Sequence, residues 1–299
     1  MSAQLTRLIP LIGLIFVAAI IVITRRAWIP ALSHSIPSIW RIAGITVAEA
    51  RRRRVVQAVI ILVIVILLSM TFFSYLSPQE QSRMIISSGL TAITVFGILL
   101  SIFIAAFLIP HEVETRTIYA ILSKPVRRFE FVLGKYVGAL IVLAVITAVM
   151  TAVLVLVLLV QARLVPSTPD SVFNPNLGAV VFAAFMNYCA LAVLTSLIIL
   201  ISTITSTTMT VISAFIIWTV GSMQSTFHDL AEKAYGGARV LLLVIYYVVP
   251  KLENFDFRQE AANYMPISIV GGWHAVLLGV LYVAIALVIA GIFFNDRQV

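Results

Sequence analysis

Long apolar runs separated by short polar stretches dominate this chain. Six runs approach or exceed the roughly twenty residues that a helix needs to cross a bilayer, and they cover residues 8–23, 55–75, 85–109, 133–160, 177–201 and 275–294. A seventh run, 208–224, is shorter but is apolar on all faces from Ile212 to Val220. The pattern predicts an all-α polytopic membrane protein with seven spans.

Two further stretches are amphipathic or too short to cross. Residues 31–54 mix apolar side chains with Arg41 and Glu49, which predicts a helix lying in the membrane interface. The run 239–249 ends at Pro250 and favours a re-entrant or interfacial helix. We therefore divide the chain into an additional N-terminal anchor (1–30), an interfacial helix on the cytoplasmic side (31–54) and a membrane domain (55–299) with an external segment at 225–272.

The first run could instead be a secretory signal, because Arg7 precedes it. It ends in Thr24-Arg25-Arg26-Ala27-Trp28, which contains no small-x-small cleavage site, so an uncleaved anchor is favoured.

Composition excludes a soluble globular protein, since 62% of residues are hydrophobic, 11% are charged and mean hydropathy is +1.11. The net charge of +8 does not indicate nucleic-acid binding, because the basic residues stand at the ends of apolar runs. We place residues 25–54, the region around 110–135 and the C-terminus on the cytoplasmic side. That side then holds thirteen basic and five acidic residues, and the other side holds seven of each. Cytoplasmic loops retain positive charge, so we expect an external N-terminus and a cytoplasmic C-terminus.

The apolar runs contain almost no ionisable residues, which argues against an ion-coupled carrier. Their polar side chains are mostly hydroxyls with a few amides, and such groups more often mediate helix packing than contact a substrate. As candidates for a translocation path we name Thr147, Thr151, Asn187, Thr195 and Ser196. A path of this kind suits an amphiphilic cargo. No catalytic residue, metal ligand or cofactor site follows from the pattern, and the single cysteine excludes an internal disulfide.

A densely charged stretch at 110–130 separates two of the apolar runs. Hydrocarbon excludes such a segment, so it must lie at a membrane face and be available to a soluble partner. Residues 112–122 are amphipathic and predict a short helix parallel to the membrane. Ser123-Lys124-Pro125 then breaks that helix, because the residue before proline avoids helical geometry.

The motif Glu112-x-Glu114-x-Arg116-Thr117-Ile118-x-x-x-Leu122-Ser123-Lys124-Pro125-Val126-x-Arg128-x-Glu130-x-x-x-Gly134-Lys135-Tyr136-x-Gly138 resembles the signature of type-2 ATP-binding cassette (ABC) transporter permeases. The stretches 246–256 and 293–297 are similar to the family's external segment and cytoplasmic terminus. Together the resemblance covers the chain from about Arg41 to the end, whereas the run 8–23 is additional to the family's usual six spans.

The resemblance implies that residues 110–135 form a coupling region that rests in a cleft of a separate ATPase subunit. Residues expected to couple to the ATPase are Glu112, Glu114, Arg116, Thr117, Ser123, Lys124, Pro125, Arg127, Arg128 and Glu130. Three apolar residues would anchor the helix to its own permease, namely Ile118, Ile121 and Leu122.

The family further implies a non-catalytic permease subunit of an ATP-driven exporter in a bacterial cytoplasmic membrane. The chain has no GxxxxGK[ST] phosphate loop, so ATP and Mg would bind to the partner ATPase. The implied partners are two ABC ATPase subunits, a second permease copy in a homodimer or heterodimer, and membrane lipid. The alternatives are a membrane anchor that recruits an ATPase without transporting, and an intramembrane enzyme, which would need a buried catalytic cluster.

Overall fold

The computed structural model describes residues 36–69, 78–108, 128–164, 175–234, 239, 242–243, 246 and 249–296. These residues form helices and turns with no β-strand among them, which confirms the all-α prediction. In chain order the helices are α1 (36–52), α2 (Arg54–Ser69), α3 (Pro78–Leu108), α4 (Arg128–Leu164), α5 (Leu177–Ser202), α6 (Thr207–Ser222), α7 (Gln224–Lys233), a 3₁₀ turn (Leu252–Phe255), α8 (Arg258–Ala262) and α9 (Ile269–Asp296).

Four of the described helices are long and apolar enough to cross a membrane, and these are α3, α4, α5 and α9. Helices α6 and α7 make a fifth candidate if they count as one span, with a bend of 70° between them. Helix α2 is apolar but shorter, with 16 residues, and the rest of its predicted span lies outside the described residues. The predicted first span, 8–23, also lies outside them.

Helix α5 occupies the centre of the described bundle, where it contacts α3, α4, α6, α8 and α9. It begins after Asn176, whose side-chain Oδ1 accepts a hydrogen bond from the Ala179 amide at 3.1 Å, an N-cap that satisfies a free helix donor. Glycines let its neighbours approach closely: a Cβ at Gly97 of α3 would stand 2.7 Å from Leu191, and one at Gly279 of α9 would stand 3.0 Å from Val193.

Helix α3 defines two ends of the bundle. Near its start, the Ser82 hydroxyl bonds the Tyr264 hydroxyl at 2.6 Å. Near its end, the Arg53 guanidinium lies 5.9 Å from the centre of the Phe107 ring. At about 1.5 Å per residue, these points are roughly 37 Å apart along one helix. We call the end at Ser82 the segment end and the end at Phe107 the junction end, after the inserted segment and the junction that are described below.

Helix α1 forms within the stretch 31–54 and lies at the junction end; its place in the membrane interface stays a prediction. One face is buried against the bundle and includes Ile42, Ala43 and Thr46. Trp40 and Ile45 are exposed on other faces, and a tryptophan in such a position is typical of a membrane interface. The chain leaves helical geometry at Arg53 before α2 begins.

Residues 249–264, which we call the inserted segment, return among the helices at the segment end. Leu252 and Phe255 of the 3₁₀ turn are buried. The Phe255 ring lies 3.0 Å from where a Cβ at Gly279 would stand, and Leu252 lies equally close to that position at Gly221. Part of the predicted external segment, 225–272, is therefore packed between helices at this end of the bundle. Most of the run 239–249 lies outside the described residues.

Candidate functional site

The first turns of α4 pack directly on α1. A Cβ at Gly134 would stand 2.7 Å from the Ile42 Cβ and 3.1 Å from the Ile39 carbonyl oxygen. A Cβ at Gly138 would stand 2.6 Å from the Thr46 Cβ. Gly134-x-x-x-Gly138 is thus a small-residue stripe of the kind that lets membrane helices pack backbone to backbone. Any larger residue would push the two helices apart.

A buried charge lies beside this glycine stripe. Lys135 is 1% exposed, and its Nζ lies 3.9 Å from Glu49 Oε2 of α1. The other carboxylate oxygen, Oε1, accepts a hydrogen bond from the Arg53 guanidinium at 2.6 Å. A buried ammonium is costly to desolvate unless it is paired, so the Glu49 carboxylate stabilises Lys135 and links α1 to α4.

Two aromatic contacts connect the same turns of α4 to the last turns of α9. The Phe131 and Phe294 rings stack with centroids 5.5 Å apart. Phe129 lies 2.8 Å from where a Cβ at Gly291 would stand. We call the contacts of α4 with α1 and α9 in this region the junction. A displacement of the chain just before residue 128 would be transmitted to both helices through it.

The structure describes only part of the predicted coupling region. Glu112, Glu114, Arg116, Thr117, Ile118, Ile121, Leu122, Ser123, Lys124, Pro125 and Arg127 lie outside the described residues, and their roles stay predictions. Arg128 opens α4. Glu130 is buried, with 6% exposed, so it is less accessible to a partner than the sequence suggested.

The predicted translocation-path residues lie on α4 and α5, where most of their hydroxyls bond backbone carbonyls of their own helix. Thr151 donates to the Thr147 carbonyl at 2.7 Å, and Ser196 donates to the Val193 carbonyl at 2.7 Å. Thr195 bonds the Leu191 carbonyl at 2.6 Å and lies 2.8 Å from the Ser101 hydroxyl of α3. The contact between Thr195 and Ser101 joins two helices, whereas the other bonds satisfy each hydroxyl within its own helix. Asn187 differs, because its side chain lines a cavity.

Polar contacts hold the inserted segment at its surface. The Arg258 guanidinium donates to both carboxylate oxygens of Asp256, at 2.7 and 2.6 Å. Burial would raise the pKa of Asp256, but the hydrogen bonds and charge of Arg258 outweigh it and lower that pKa below its ordinary value of 3.8. Glu253 accepts from the Ser225 amide at 3.0 Å and from its hydroxyl at 2.8 Å, which joins the segment to the start of α7.

Sequence reasoning missed both charge pairs. The Glu49–Lys135 pair joins residues far apart in the chain, although the spacing of Gly134 and Gly138 within the quoted motif was a signal of close helix packing there. Asp256 and Arg258 are two residues apart, and nothing in their spacing indicated that they would form an ion pair. Within the described part of the chain, no three His, Cys, Asp or Glu side chains gather as a metal site would require.

The family model described as "ABC-2 family transporter protein" matches residues 40–299. The match includes the glycine stripe, the inserted segment and the whole coupling region. No curated protein matches the chain.

Proposed function

The chain belongs to the ABC-2 transporter family and is a transmembrane subunit of an ABC transporter; on this premise we propose that it forms the path of an exporter and is driven by a separate ATPase through residues 110–135. The family's membrane subunits associate in general with an ABC ATPase and with a second permease. In our proposal the complex has two permeases and two ATPases, with ATP and Mg bound to the ATPases.

The observation that carries the proposal is that the last residues of the coupling region, 128–135, form part of the junction. Helix α4 begins at Arg128, and within ten residues it contacts α1 through Gly134 and Gly138 and α9 through Phe131. A movement imposed on residues 110–127 by closure of the ATPases would therefore shift three helices together. A loop that only recruited an ATPase would not need this packing.

The same proposal gives the orientation of the chain in the membrane. The junction end carries the exposed residues Arg51, Arg52 and Arg54, which we place at the cytoplasmic headgroups by the positive-inside rule. The C-terminus of α9 lies at this end with them, since Phe294 stacks on Phe131. The inserted segment then faces the exterior.

Reversing the charge of Glu112 and Glu114 tests the coupling role. The ATPase is first recovered by affinity purification of the tagged chain in mild detergent. The double variant Glu112→Arg/Glu114→Arg should then lower ATPase association about tenfold or more, because charge complementarity across an interface becomes repulsion. Association is measured by co-purification, and ATP hydrolysis is measured in reconstituted vesicles.

The matched control makes the same charge change at the other end. Glu80 and Glu232 have side chains 60% and 71% exposed, and Glu80→Arg/Glu232→Arg should leave association within about twofold, since exposed charges contribute little. If the double variant at 112 and 114 keeps normal association and hydrolysis, the coupling assignment is wrong.

A further inference from the structure

A cavity of about 110 Å³ lies inside the protomer at the segment end. Helices α3, α5 and α6 form its walls, and the inserted segment covers it. Its lining includes Thr94, Asn187, Trp218, Phe255 and Arg258.

Asn187 lines the cavity, and the soft terminal torsion of its carboxamide lets Nδ2 turn toward an occupant. The side chain is 9% exposed, and its Nδ2 atom is buried with no hydrogen-bond partner among the described residues. A buried donor without a partner destabilises a protein, and native structures rarely keep one without a reason. An occupant of this cavity therefore gains most if it presents an acceptor oxygen to Nδ2.

The charges around the cavity are already satisfied by protein groups. Arg258 is paired with Asp256 through two hydrogen bonds, and Glu253 is bound by the amide and hydroxyl of Ser225. An ionic ligand would find no unpaired counter-charge among these groups, and much of the remaining wall is apolar, including Ile98, Leu194 and Phe255. The surroundings favour a neutral occupant.

We propose that this cavity binds a small neutral carbonyl compound, such as an amide, ketone or ester group, whose oxygen accepts a hydrogen bond from Asn187 Nδ2. An apolar cavity of about 150 Å³ holds benzene, so this smaller one fits about five non-hydrogen atoms. The group can be a free molecule or the tip of a larger amphiphile. The site goes beyond the transport role and requires neither ATP nor the ATPase.

Acrylamide is a suitable probe, because it is neutral, has five non-hydrogen atoms, carries a carbonyl oxygen and quenches tryptophan. Replacing Trp28, Trp40 and Trp273 with phenylalanine leaves Trp218, which lines the cavity, as the reporter. In the full chain reconstituted in nanodiscs, quenching of Trp218 intensity should saturate with acrylamide concentration while the fluorescence lifetime stays constant. Iodide, an anion, should quench only by collision.

Three variants separate binding from simple access. Asn187→Leu should weaken acrylamide association about fivefold, which corresponds to one hydrogen bond. Ala190→Leu, which fills the cavity and keeps Asn187, should abolish saturation. Ser69→Ala makes a polar-to-apolar change in α2, where the hydroxyl bonds only the Ile66 carbonyl of its own helix among the described contacts, and should change nothing.

Linear collisional quenching in the parent, unchanged by Asn187→Leu and Ala190→Leu, would overturn the proposal and show a cavity open to solvent. Saturation that survives Asn187→Leu at full strength would also overturn it, because the amide would then contribute nothing. The assay contains no ATPase, so neither result depends on the coupling test.

Discussion

The junction and the inserted segment are held by different kinds of contact. At the junction, Gly134 and Gly138 lie against the backbone of α1, and the ammonium of Lys135 is almost fully buried. In the inserted segment, Leu252 and Phe255 are buried, but the polar contacts of Asp256 and Glu253 are made by partly exposed groups.

This difference indicates which region transmits motion and which can itself move. Close backbone packing around a buried charge has few alternative arrangements, because separating the helices would open a cavity and withdraw the Glu49 carboxylate from a buried ammonium. Exposed ion pairs contribute little to stability, because water can hydrate both charges when the pair separates. We expect the junction to move as a rigid unit and the inserted segment to open at lower cost.

The largest expected effect comes from the glycine stripe. Gly134→Ala/Gly138→Ala should destabilise the chain by about 2–4 kcal/mol, because each added methyl overlaps α1 and overpacking costs roughly 1–3 kcal/mol per site. The thermal unfolding midpoint in detergent measures this loss of stability. Stimulation of the ATPase by the double variant should fall as well.

Gly44→Ala is the matched control on α1. A Cβ there meets no atom within 4 Å, and alanine favours a helix over glycine by about 1 kcal/mol, so this variant should be neutral or stabilising. If the double alanine variant behaves like Gly44→Ala, the close contact between α1 and α4 is not formed.

A smaller effect is expected from Glu49→Gln, which removes the carboxylate beside Lys135. Breaking a fully buried pair costs roughly 3–5 kcal/mol, and Glu49 is 34% exposed, so about 1–2 kcal/mol is expected for the free energy of unfolding. Glu80→Gln serves as control, because its contact with Arg83 is 3.8 Å long and exposed, and it should change stability by less than about 0.5 kcal/mol. If both variants change the free energy of unfolding equally, the Glu49–Lys135 contact contributes no more to stability than the exposed Glu80–Arg83 contact.

The smallest effect concerns the inserted segment and depends on pH. The pKa of Asp256 is lowered in the folded chain, so its contribution is fully present above the ordinary value of 3.8 and is lost as pH falls through the lower folded value. The protection of residues 249–262 against hydrogen exchange, taken relative to the intrinsic exchange rate at each pH, should therefore fall below about pH 4. Asp256→Asn should lower this protection at neutral pH. It should also remove the part of the acid-induced loss of protection that is caused by protonation of Asp256. The exposed Asp229→Asn should do neither, and an unchanged acid profile in Asp256→Asn would contradict the assignment.

Much of the fold follows from local pattern. The apolar runs 85–109, 133–160, 177–201 and 275–294 correspond to α3, α4, α5 and α9, because hydrocarbon requires each crossing segment to satisfy its backbone hydrogen bonds internally. Helix α4 begins at Arg128, before its apolar run. Hydropathy alone could not place this start, since tertiary packing buries the charged side chains of Glu130 and Lys135.

The sequence by itself determined that this is an all-helical membrane protein of the ABC-2 family, since span length, charge position and the motif after residue 110 are properties of contiguous residues. Only the tertiary structure decided that Lys135 meets Glu49, that Phe255 lies beside Gly279 and that Asn187 lines a cavity. These contacts join residues distant in the chain. Their formation depends on how the helices rotate and approach one another, which apolar composition leaves open because every face of such a helix is compatible with lipid.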